Sequence, residues 1–106
     1  MDVERIKFER TGGFAGMRLA ANFELGDLPQ DQANSLTDLL DKLDFAELPE
    51  RLLPDSAMPD EFTYTITVES QKWQHTVITS DMPDDDRMKE LLEILNRLAR
   101  SSLKKH

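Results

Sequence analysis

Apolar residues in this chain recur with two distinct periods, and the alternation between them divides it into elements. Ile6 and Phe8 alternate with charged neighbours, and after a short break Met17, Leu19, Ala21 and Phe23 alternate with Arg18, Ala20, Asn22 and Glu24. A period of two places successive side chains on opposite faces of a strand, so both runs read as half-buried strands. Between them, Thr11-Gly12-Gly13-Phe14-Ala15-Gly16 supplies glycines that accept positive φ, which lets the chain reverse into an antiparallel hairpin. From Pro29 the period lengthens. Ala33, Leu36, Leu39, Leu40 and Leu43 form the apolar stripe of a helix spanning about 29–43, with the proline tolerated in its first turn.

The second half repeats the order without repeating the residues. From Asp44 to Asp60 the prolines Pro49, Pro54 and Pro59 interrupt both periods, which predicts an irregular connection held to the core by Phe45, Leu48, Leu52 and Leu53. Phe62, Tyr64, Ile66 and Val68 then alternate with Thr63, Thr65 and Thr67. A turn at Ser70-Gln71-Lys72 leads into a partner strand over 73–79. A last helix is expected from about Ser80 or Asp81, with Pro83 in its first turn, Asp84, Asp85 and Asp86 at the positive end of its dipole, and Met88, Leu91, Leu92, Leu95 and Leu98 as its buried stripe. The predicted fold is a single α+β domain over 1–106, in ββαββα order, with a four-stranded antiparallel sheet and both helices packed on one face.

Charge narrows the partners. The formal net charge of −8 disfavours phosphate backbones, so nucleic acid is set aside. Residues 19–71 hold twelve acids against two bases, which predicts one markedly acidic surface, as a solvated face or as a guide for a basic partner. No apolar run approaches the roughly 20 residues that span a bilayer, and the start of the chain, Met1 to Arg10, is charged where a signal peptide is apolar. With no cysteine in the chain, the expected setting is a reducing cytoplasm.

Candidate chemistry is sparse. The two histidines are His75, inside a predicted strand, and His106; neither has an evident catalytic partner, and an ordinary cross-strand or core histidine is the simpler reading of His75. Asp84, Asp85 and Asp86 lack the spacing, central glycine and distal glutamate of a calcium loop. The glycine loop opens a strand rather than a helix, which argues against a phosphate cradle. No enzyme activity, metal, cofactor or small-molecule substrate is therefore expected. Phe14, at the centre of the glycine loop, has two readings: folded back under the sheet, or held out for a partner.

The segment Phe8-Glu9-Arg10-Thr11-Gly12-Gly13-Phe14-Ala15-Gly16-Met17-Arg18-Leu19 resembles the opening of the emfourins, proteinaceous inhibitors of protealysin-like metalloproteases of the thermolysin-like group. Asp44-Phe45-Ala46-Glu47-Leu48-Pro49, the strand entry Pro59-Asp60-Glu61-Phe62-Thr63-Tyr64 and the leucine-rich helix after Met82-Pro83 extend the similarity from Ile6 to about Arg100. The resemblance implies a cytoplasmic bacterial protein, monomeric when free, that occludes the active-site cleft of a zinc metalloprotease. Such proteases select a large apolar residue after the scissile bond. The expected contact surface is accordingly Gly12, Gly13, Phe14, Ala15, Gly16, Met17 and Arg18, with Leu52 as a further apolar candidate. The alternative is a non-catalytic regulatory subunit that binds a non-protease partner through its sheet edge or acidic face.

Overall fold

The computed structural model describes residues 3–12, 18–52, 62–80 and 85–103, with side chains through Arg100. Strands β1 (Val3–Gly12) and β2 (Leu19–Glu24) form the first hairpin, and helix α1 (Gln30–Leu43) follows a 3-10 turn at Leu25–Asp27. A second 3-10 turn, Phe45–Glu47, precedes β3 (Arg51–Leu52). Strands β4 (Phe62–Ser70) and β5 (Gln74–Ser80) form the second hairpin, and α2 (Asp86–Leu103) closes the chain.

The two hairpins join along β1 and β4, which pair antiparallel with Ile6 opposite Val68 and Phe8 opposite Ile66. The sheet order is β2-β1-β4-β5-β3. The four expected strands are thus present and antiparallel, and the expected sheet gains a fifth: Arg51 and Leu52 pair parallel to Ile78 and Thr79. Two residues between prolines carry no readable period, so this strand is set by its neighbour and not by its own pattern.

Each element buries the face that its period assigns. Ile6, Phe8, Phe23, Ile66, Val68 and Val77 meet Leu36, Leu40, Met88, Leu91, Leu92 and Leu95 in one core. Ala99 is fully buried where Leu98 was expected, and Leu98 packs at the margin. The last helix also starts later than expected: Ser80 is still strand, and Asp85 accepts the Arg87 N–H at 2.8 Å through Oδ1 ahead of the first helical residue, Asp86. A short acidic side chain at that position satisfies an amide that the first turn leaves free. Pro29 stands just before α1 rather than inside it, and Asp44 ends that helix in the left-handed region at φ 55°.

Among the described residues no helix covers the opposite sheet face. Arg5 donates to Glu24 at 2.6 Å and reaches Glu69 at 3.5 Å, while Thr67 and Thr76 share a hydrogen bond of 2.9 Å. The hydrogen bond and charge of Glu24 raise the Arg5 pKa above its ordinary value. Exposed pairs of this kind add little stability.

The core makes two opposed predictions. Leu95→Ala removes a side chain with no exposure and is expected to cost about 2–5 kcal/mol, read as a lower midpoint in chemical denaturation. Thr79 is equally buried, but its hydroxyl finds no hydrogen-bond partner among the described residues. An unpartnered buried hydroxyl is a cost, so Thr79→Val is expected to leave stability unchanged or raise it by up to about 1–3 kcal/mol. A clear loss in that variant would mean that the hydroxyl is satisfied from outside the described residues.

Candidate functional site

The strand registers bring one end of every strand to the same end of the sheet. Gly12 lies opposite Phe62, Thr63 opposite Ser80, Arg10 opposite Leu19, and Leu52 beside Thr79. The described residues Gly12, Leu19, Leu52, Phe62 and Ser80 therefore all lie at this end, although they are far apart in sequence.

Among the residues expected to contact a partner, Gly12 closes β1 at φ 102°, a conformation that a side chain makes costly. Arg18 is exposed and pairs with Glu9 at 2.8 Å. Leu52 is half-buried on β3, three strand positions from β1 and so about 14 Å across the sheet end. Gly13, Phe14, Ala15, Gly16 and Met17 lie outside the described residues, as does Leu53. The fold thus brings Gly12, Arg18 and Leu52 to one end of the sheet while separating Leu52 from the other two.

Two clamps have no counterpart in the expected contact set, one at this end of the sheet and one toward the other, near the start of β5. Arg10 lies over the Phe62 ring, 4.6 Å from its centre, and donates to Asn96 Oδ1 at 3.2 Å. The Asn96 amide in turn donates to Leu92 O at 3.0 Å and to the Tyr64 hydroxyl at 3.4 Å, and Tyr64 stacks on Phe8. This network ties α2 to the ends of β1 and β4, where the glycine segment begins. Its signal in the sequence was slight: Arg10 shares strand parity with Ile6 and Phe8, so a charge stands where an apolar residue would be expected.

The second clamp holds the approach to β3. His75 Nε2 lies 2.6 Å from the Leu48 carbonyl, and its ring meets Phe45 edge-on. The Ile78 N–H donates to Glu50 O at 2.7 Å, which completes the attachment of residues 48–52 to β5. His75 acts here as an anchor, in keeping with the plain structural reading of that residue.

Among the described residues no three His, Asp or Glu side chains converge as metal ligands, and His75 is held against a backbone carbonyl. A cleft of about 140 Å³ between the helices, lined by Asp31, Ser35, Ile94 and Arg97, is smaller than the ~300–1,000 Å³ of typical small-molecule sites. No helix among the described residues is long and apolar enough to cross a membrane.

These features define a small α+β protein with one five-stranded sheet and two helices. The emfourin family model matches residues 8–98, and the chain belongs to the emfourin family, a family of protease inhibitors. No curated protein and no solved structure matches the chain.

The conformation at Gly12 yields a direct test. Gly12→Ala places a Cβ at φ 102° and is expected to cost about 1–3 kcal/mol in denaturant titration. An unchanged midpoint would show that the hairpin leaves β1 with another backbone geometry.

Proposed function

We propose that the protein inhibits a protealysin-like zinc metalloprotease of the thermolysin-like group by placing the loop end of its sheet over the active-site cleft. The observation that carries this reading is the gathering of five strand ends at one end of the sheet, in a chain of the emfourin family. A cleft built to receive an extended substrate is blocked most simply by segments that leave the end of a folded scaffold.

Occlusion is favoured over capture of the zinc. The one histidine among the described residues holds the Leu48 carbonyl, and using it as a metal ligand would break that attachment. The chain's acids also have other places: Asp31, Asp38, Asp41 and Asp44 are exposed along α1 and its end, where they solvate the helix and can steer a basic partner. The contact surface proposed is Gly12 to Arg18 with Leu52, in a bacterial cytoplasm that a cysteine-free chain suits.

Titration of a protealysin-like protease with the purified protein, read with a peptide substrate, tests the reading: stoichiometric loss of activity is expected. Full activity at excess protein would instead favour a regulatory subunit with a non-protease target. Phe14 divides the remaining possibilities. As an interface anchor, Phe14→Ala weakens inhibition by about 2 kcal/mol or more and leaves the melting temperature in place. As a core residue, it lowers stability by about 3–5 kcal/mol, and the loss of inhibition follows the unfolding.

A further inference from the structure

The two edges of the sheet are built differently. β3 is two residues long, and Pro49 and Pro54 flank it in the sequence. Short strands and prolines are the usual means of blocking an edge against further pairing. β2, at the other edge, offers six residues with no proline and no lysine, and among the described residues no strand pairs with its outer side.

Along that edge the sequence is complementary to itself. When β2 pairs antiparallel with β2 of a second copy, centred on Ala21, Arg18 faces Glu24, Leu19 faces Phe23 and Ala20 faces Asn22. Opposite charges meet at both ends of the ladder: Arg18 and Glu24, with side chains 68% and 47% exposed, each keep a partner in their own copy, Glu9 and Arg5, and extend those pairs across the join. Leu19 and Phe23 both belong to the helix-covered face, and Ala20 and Asn22 are exposed small residues that let the strands approach. Centring the pair on Ala20 or Asn22 removes the charge match. Residues paired across an antiparallel ladder share a face, so the helices of both copies stay on one side.

We propose that the protein self-associates through β2, doubling its five-stranded sheet about a two-fold axis at Ala21, in place of the monomer expected from the sequence. The antiparallel join turns the loop ends of the two copies in opposite directions. If those ends are the inhibitory surface, as proposed above, one dimer carries two such surfaces facing apart. The self-association itself does not depend on that reading.

Sedimentation equilibrium without protease, at low ionic strength and over a concentration series, tests the proposal by itself. The mass is expected to rise from 12.2 kDa toward twice that value. Arg18→Glu or Glu24→Arg alone places like charges opposite each other twice per dimer, and is expected to raise the dissociation constant about tenfold. The double variant Arg18→Glu/Glu24→Arg restores opposite charges and with them the association. Melting curves of all three variants confirm that the exposed exchanges leave the fold intact. A mass of one chain at every concentration, or dimers indifferent to both single reversals, overturns the proposal. So does amide-exchange protection of β2 that appears only on adding a protealysin-like protease, which would assign the edge to an extended segment of the protease instead.

Discussion

The pairing of β1 with β4 is the constraint on which the rest of the molecule depends. It joins Val3–Gly12 to Phe62–Ser70 across half the chain and converts two hairpins into one sheet. A two-stranded hairpin alone is marginal in water, because one ribbon buries too little apolar surface to offset the entropy of ordering it. Once joined, Ile6, Phe8, Ile66 and Val68 form a continuous apolar floor in the middle of the sheet, and α1 and α2 cover it. Residues so distant in sequence must be brought together before their contacts stabilise anything, and long-range pairing of this kind is intrinsically slow to form.

The same pairing creates the end of the sheet proposed as the contact surface. Because β4 enters the sheet where β1 leaves it, Gly12 stands opposite Phe62, and the network of Arg10, Asn96 and Tyr64 can fasten α2 to both strands at once. His75 does comparable work on the far side by holding Leu48, which lets Arg51 and Leu52 reach β5.

Electrostatics shapes the surface more than it stabilises the interior. Arg5, Lys7, Glu24 and Glu69 form a chain of exposed or half-exposed pairs across β2, β1 and β4 on the helix-free face, where water screens them. The excess acid of residues 19–71 lies largely along α1 and the turns after it, with Asp31, Asp38, Asp41, Glu47 and Glu50 all exposed. Stability therefore rests on the apolar core, and net charge governs solubility and encounter.

By itself the sequence determined the two hairpins, the two amphipathic helices and the identity of most core positions, because a period of two or of about 3.6 reports which face of an element is buried. The inhibitor family was also legible there, in the run from Phe8 to Leu19. A period says nothing of which strand lies beside which, since backbone hydrogen bonds are alike for every residue; only the tertiary structure decided that β1 meets β4. It also decided what short-range pattern cannot encode: the two-residue strand at Arg51–Leu52, the strand identity of Ser80, the place of Ala99 in the core, and the use of His75 as an anchor. Gly12, Arg18 and Leu52 could be singled out one at a time from their residue types. Their arrangement at one end of the sheet follows from strand register, which is set by how the whole core packs.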